Sequence, residues 1–275
     1  MININELGFS YDENIVLKDI TMRLEDGRIY GLLGENGVGK TTLLTLLSGL
    51  KKPKAGTISI DSEKPFNRNP NLLSEIYYLS DEVTPSIMKA EDYAHVYGLF
   101  WKNFSMDKFI EIMRLFETDH EMKMSQMSHG QLKKTHIAFA LACNTRYLFL
   151  DEPTNGLDIP SKAQFRKALM KYTREDSTVL ISTHQVRDLE NVIDPIIILD
   201  RQQVLLNASI QEISEKLYFD YSTEVRPDAL YREMIPGGNI QVMLNTDGED
   251  SKVNIEALFN TVLKHKELIQ KTFIK

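Results

Sequence analysis

The residues best suited to chemistry lie between Gly34 and Thr42, where the chain reads GENGVGKTT. Gly34, Gly39, Lys40 and Thr41 have the Gly-x-x-x-x-Gly-Lys-Thr spacing of a phosphate-binding loop, the P-loop. Gly34, Gly37 and Gly39 let the backbone turn tightly and bring its amide hydrogens up to phosphate oxygens. Lys40 is long enough to reach the outer phosphates of a nucleotide, and the Thr41 hydroxyl is a hard oxygen ligand for Mg²⁺. Asn36 and Thr42 lie in the same stretch and complete the expected nucleotide-binding set. A second chemical group stands at 147–152, YLFLDE, an apolar run ending in two carboxylates. Where a P-loop is present, an acid at such a strand end holds Mg²⁺, which gives that role to Asp151. Successive strand residues face opposite ways, so Glu152 is left to polarise a water aimed at the terminal phosphate.

These groups need a rigid frame. RIYGLL (28–33) is a strand-like run leading into the P-loop, and TLLTLLSGL (42–50) reads as the helix that follows, its positive end toward the anion. Further short apolar runs stand at 56–60 (GTISI), 76–79 (IYYL), 147–150, 178–182 (TVLIS) and 195–199 (PIIIL), with helical patterns between them, one beginning near Pro160. The pattern predicts an α/β fold with a three-layer core around a mostly parallel sheet. From Val83 to about Thr145 the strand signal lapses. There SMDKFIEIMRLFET (105–118) sets Phe109, Ile112, Met113 and Phe116 at helical spacing behind Ser105 as N-cap, so a helical subdomain is expected as an insertion over about 83–145. After Asn207 the pattern changes again. Pro227, the Pro-Gly-Gly at 236–238, the apolar IQVML and the helical NIEALFNTVLKHKELI predict a small α+β appendage over 208–275, behind a main domain over 1–207.

The 275 residues are 42% hydrophobic and 26% charged, the balance of a soluble globular protein. A formal net charge of -7 argues against nucleic acid as the main partner, because phosphate backbones demand a basic surface. The lone cysteine, Cys143, sits in the apolar IAFALAC and reads as a small core residue. No apolar run reaches the roughly 18 residues of a membrane span, and MININELGFSYDEN carries no secretory signal. The expected setting is the cytosol, with any membrane role exercised through a partner.

Four motifs in order complete the reading: GENGVGKTT, then MSHGQ (127–131), then LDEPTNGLD (150–158), then His184 in STHQ. Together they resemble the ATP-binding subunits of ABC transporters over about residues 1–207. The resemblance implies ATP and Mg²⁺, a set of antiparallel strands at the N-terminus, and a head-to-tail pair of ATPase subunits, homodimeric or heterodimeric. In such a pair each ATP lies between one chain's P-loop and the other chain's signature. Tyr11, in FSYDEN, resembles the aromatic that stacks on adenine. Ser128, Gly130 and Gln131 resemble the signature residues that contact the partner's γ-phosphate, and Asp158 the residue that couples the two sites across the interface. His184 resembles the histidine that holds the γ-phosphate and the attacking water, which makes Glu152, His184 and Lys40 the expected catalytic set.

Two positions depart from the family pattern. His129 stands where a signature glycine is usual, and Asp81, in YLSDE, stands where a glutamine usually follows the strand IYYL. An aspartate there can still hold a Mg²⁺-bound water, which puts Asp81 beside Thr41 and Asp151 in the expected metal set. A carboxylate at this place, with an appendage carrying NIEALF, resembles bacterial ABC-2-type exporter ATPases that act on peptides or antimicrobials. The implied partner is a separate membrane-spanning permease, contacted through the aromatic stretch MKAEDYAHVYGLFW (88–101), and the implied location is the cytoplasmic face of the cell membrane. Tyr93, Tyr97, Phe100 and Trp101 serve equally as core of the helical subdomain. A soluble ATPase of this kind, acting as a sensor or regulator or in translation or DNA processes, is the alternative reading.

Overall fold

A computed structural model describes residues 1–200 and 202–273. The chain opens with the antiparallel pair β1 (Ile2–Tyr11) and β2 (Asn14–Leu24), whose apolar residues face one side: Ile2, Ile4, Leu7, Leu17, Ile20 and Leu24 are all buried. β3 (Ile29–Leu33) then enters the centre of the molecule and runs through the glycine-rich loop into α1 (Lys40–Leu47). β4 (Ala55–Ile60) returns to pair antiparallel with β1, Ile2 opposite Ile60. The run GTISI therefore belongs to the N-terminal sheet and not to the central one. Ile58 and Ile60 are buried and Thr57 is exposed, the alternation of a strand with one wet face.

The one-turn α2 (Pro70–Leu73) leads to β5 (Ile76–Leu79), after which the helices α3 (Ala90–Gly98), α4 (Met106–Leu115) and α5 (His129–Ala142) follow without an intervening strand. Ser105 caps α4 by accepting the Lys108 N–H at 3.2 Å, and Phe109, Ile112, Met113 and Phe116 are fully buried, as their spacing predicts. Cys143, just past α5, is a buried free thiol.

β6 (Tyr147–Asp151), α6 (Ile159–Tyr172), β7 (Thr178–Thr183), β8 (Ile196–Asp200) and β9 (Gln203–Ala208) complete a six-stranded sheet in the order β5-β6-β7-β3-β8-β9. All neighbours are parallel except β8 and β9. The strands are apolar on both sides because both faces are covered. Leu148, Leu150, Val179 and Ile181 pack toward the inserted helices, while Tyr147, Phe149, Leu180 and Ile197 pack toward α1 and the N-terminal sheet. The two-residue period of the strands thus builds the three layers.

The remaining chain forms α7 (Ile210–Lys216), the strands β10 (Leu217–Ser222), β11 (Tyr231–Ile235) and β12 (Gly238–Leu244), and the helices α8 (Ile255–Lys264) and α9 (Lys266–Phe273). Its antiparallel sheet has the order β10-β12-β11. Ile255, Leu258 and Val262 of α8 are buried in the same apolar cluster as the inserted helices and the central sheet. Among the described residues no helix is long and apolar enough to cross a membrane.

Candidate functional site

Adjacent parallel strands end together, and that fact assembles the site. Leu33 pairs with Thr183 and Asp151 with Ser182, so β3, β7 and β6 stop at one edge of the sheet. Gly34, His184 and Glu152 are each the next residue along, in the crevice outside the carboxyl ends of the strands.

The P-loop wraps the start of α1. Gly39 (φ 111°) and Gly37 (φ 79°) take left-handed conformations, and a Cβ on Gly39 would lie 2.9 Å from Leu17 Cδ2. Gly39 is also the N-cap of α1 and offers no side-chain cap, so the free amides of the first turn are left to an external anion. Lys40 is buried, and its Nζ donates to Gly34 O at 2.8 Å and Glu35 O at 3.1 Å. Burial pushes its pKa down, while Glu152 and Asp151 pull it back up.

Asp151 and Glu152 separate as expected, but the turn that follows β6, and not strand alternation, parts them. Asp151 accepts the Thr41 hydroxyl at 2.7 Å and that of Tyr78 at 3.4 Å, and also bonds Ser182 Oγ. Thr41 spends its proton on Asp151 and keeps its lone pairs, the donor set of a hard cation whose remaining ligands are phosphate and water oxygens. The residues present therefore fit Mg²⁺. Glu152 turns the other way at φ 44°, an uncommon conformation for a side chain with a Cβ. Its amide donates to Ser182 O and to Ser182 Oγ, both at 3.1 Å, which holds the turn. The Glu152 carboxylate lies 2.9 Å from His184 Nδ1, accepts the His184 amide at 3.4 Å, and stands 3.7 Å from Lys40 Nζ.

A cavity of about 390 Å³ opens over these groups, lined by Tyr11, Asn14, Val16, Asn36, Gly37, Gly39, Lys40, Thr41, Thr42, Asp81 and Glu152. Tyr11 is 43% exposed, donates to or accepts from Thr42 Oγ1 at 3.3 Å, and carries Lys51 Nζ 4.8 Å from its ring centre. Asp81 lines the cavity with its carboxylate already engaged: Lys133 Nζ lies 3.3 Å from Oδ1, and Asn155 Nδ2 lies 3.3 Å from each oxygen. Ser128, Gly130, Gln131 and Asp158 are not among the lining residues. Ser128 and Gln131 form a reciprocal capping box at the start of α5, and Asp158 caps α6 by accepting the Ser161 N–H at 2.9 Å. His129 packs on Gly156, where an added Cβ would lie 3.0 Å from the imidazole.

Sequence reasoning did not single out Asn14, Val16, Ser182, Asn155 or Lys133. Ser182 had a signal, since it pairs with Asp151 once β6 and β7 are set side by side. Lys133 had none, since it stands in the polar stretch KKTH (133–136) ahead of IAFALAC. The aromatic stretch divides. Tyr93 and Trp101 pack on the core, with Trp101 Nε1 donating to Ile76 O at 2.9 Å, whereas Phe100 is 69% exposed beside Leu99 at 81%.

The model of the ABC transporter family matches residues 17–155. The chain is 27% identical over 231 residues to the ABC transporter ATP-binding protein YtrB of Bacillus subtilis, covering 82% of this chain and 78% of that one. It is 32% identical over 198 residues to the energy-coupling factor transporter ATP-binding protein EcfA1 of Thermotoga maritima, covering 70% and 75%. Among solved structures, an ATP-binding subunit of an ABC transporter superposes with a TM-score of 0.68 at 22% identity, covering 78% of this chain and 91% of the other. A dimeric ATP-binding cassette bound to ADP and Pi superposes at 0.66 and 23% identity, covering 76% and 98%. The phosphate loop, the paired acids at one sheet edge and these matches agree: the chain belongs to the ABC transporter family and is one of its ATP-binding, ATP-hydrolysing domains.

Proposed function

We propose that two ATPase chains, either two copies of this one or this one and a relative, close head to tail on ATP and thereby drive a substrate through a separate membrane-spanning permease. The observation carrying this reading is that the signature turn, Ser128 to Gln131, lies outside the cavity that holds Lys40, Thr41 and Glu152. That helix start is capped by Ser128 and Gln131, yet Ser128 and His129 are exposed, and the positive end of a helix suits an anion supplied from outside the chain.

Within one chain Lys40 and the P-loop amides bind the phosphates, and Tyr11 takes the adenine. Thr41 and Asp151, with Asp81 nearby, hold Mg²⁺, which neutralises phosphate charge when bound. Glu152 orients and polarises the attacking water, while His184, 2.9 Å from its carboxylate, fixes that carboxylate and meets the terminal phosphate. The second chain's Ser128, Gly130 and Gln131 complete the site on closure, with Asp158 at the interface. ATP favours the closed pair because only that state makes both sets of contacts, and hydrolysis removes the preference.

The exposed apolar residues Ile87 (86%), Leu99 (81%) and Phe100 of the helical insert support this stretch as the surface for the permease, in keeping with work at the cytoplasmic face of the membrane. Export of a peptide or a hydrophobic antimicrobial compound is the substrate class that the exporter resemblance favours. The deciding experiment is Glu152→Gln with ATP, followed by sedimentation alone and with co-expressed related ATPases. The variant should bind ATP, hydrolyse it at least ~100-fold more slowly and accumulate as a dimer, in line with loss of a transition-state group. A monomer under every one of these conditions would remove the basis of the shared site.

A further inference from the structure

Lys133 is a fully buried lysine on the helix that begins with Ser128. Its Nζ donates to Asp81 O at 2.6 Å and to Asp81 Oδ1 at 3.3 Å, across from β5. An ammonium with no exposure is strongly disfavoured unless it is paired. Asp81 has the converse problem: its carboxylate lines the cavity with Lys40 and Thr41, where a polyanionic nucleotide must come close. Where no cation stands between them, two like charges brought to close range repel more strongly at a protein surface than in bulk water. Each residue removes the other's difficulty, and Asn155, from the turn after Glu152, supplies a second donor to the same carboxylate.

We propose that Lys133 is a positioning residue that carries the counter-charge of Asp81, so that the aspartate is usable at the phosphate end of the site only with Lys133 behind it. The two are a matched set, and the pair ties the end of β5 to the first turns of the signature helix. The inference rests on the assignment of the cavity to ATP. It also reverses an intuition: glutamine, usual in the family at position 81, is the wrong residue here unless position 133 changes with it.

The test compares four proteins, the full chain, Asp81→Gln, Lys133→Gln and the double variant, by binding of a fluorescent ATP analogue without Mg²⁺ and by thermal unfolding. Lys133→Gln leaves the carboxylate uncompensated and should weaken nucleotide binding about tenfold, a coupling within the usual range for contacting charged residues. Asp81→Gln strands a buried ammonium and should lower the unfolding midpoint; in the Mg²⁺-free assay, which leaves out any part Asp81 has in holding the cation, binding by the fraction still folded should not fall as it does in Lys133→Gln. The double variant should recover both properties to near the parent level. Should either single variant be too unstable to purify, the double variant decides alone: a parent-like midpoint and affinity support the matched set. A double variant showing the sum of both defects overturns it. A purely structural lysine would move the midpoint of Lys133→Gln and leave its nucleotide affinity at the parent value, which also overturns the proposal. Failure of the parent chain itself to bind ATP would instead remove the assignment of the cavity.

Discussion

At the scale of single residues, the backbone alone gives two neighbouring carboxylates different partners. Asp151 ends a regular strand and meets Thr41, whereas Glu152, one residue later and at φ 44°, meets His184 and Lys40. Lys40 is committed to the loop through Gly34 O and Glu35 O, and burial holds its side chain in place. Lys40→Ala should therefore weaken ATP binding at least tenfold and abolish turnover, measured by equilibrium binding and phosphate release. The loss is that of a charge-assisted contact made in both ground and transition states. Retention of parent turnover would remove the nucleotide from this cavity.

At the scale of elements, the insert has two faces with different fates. Phe109, Ile112, Met113 and Phe116 fill its interior, and Tyr93 and Trp101 lean on Phe139 at ring-centre distances of 5.3 and 5.7 Å. Leu99 and Phe100, past the last turn of α3, and Ile87 before it, reach solvent. Replacing all three exposed residues by Ser should leave the unfolding midpoint and the ATPase rate of the isolated chain near the parent values, because surface changes of this kind cost little. Recovery of the chain with membranes that contain its permease should fall several-fold, read by flotation. Undiminished recovery would place the docking surface elsewhere.

At the scale of the molecule, the appendage is not a loose tail. Its α8 buries Ile255, Leu258 and Val262 in the cluster shared with the insert and the sheet, and it faces the short 3₁₀ turn Val186–Asp188 just past His184. Arg187 Nε and Glu256 Oε2 meet there at 2.5 Å, but Arg187 is largely exposed, and such a pair is worth about 0–1 kcal/mol. The apolar contact decides. Leu258→Ala should destabilise the chain by about 2–5 kcal/mol. Because the cluster is continuous, denaturant unfolding should show one shifted transition. A separate early transition for 208–273 would make the appendage an independent unit.

The sequence by itself determined the chemistry that depends on residue type and local spacing. GENGVGKTT specifies a turn, a helix start and a lysine whatever the rest of the fold does, and the period of Phe109, Ile112, Met113 and Phe116 specifies a buried helix face. It did not determine that GTISI pairs with the N-terminus, because a short apolar run does not say which strand lies beside it. Nor did it bring Lys133 to Asp81, 52 residues apart, or Ser182 to Asp151. Those meetings follow from strand order and from the side of the sheet on which α5 packs. Pairing across the fold is set by the burial of whole faces, a property that no local stretch of sequence carries.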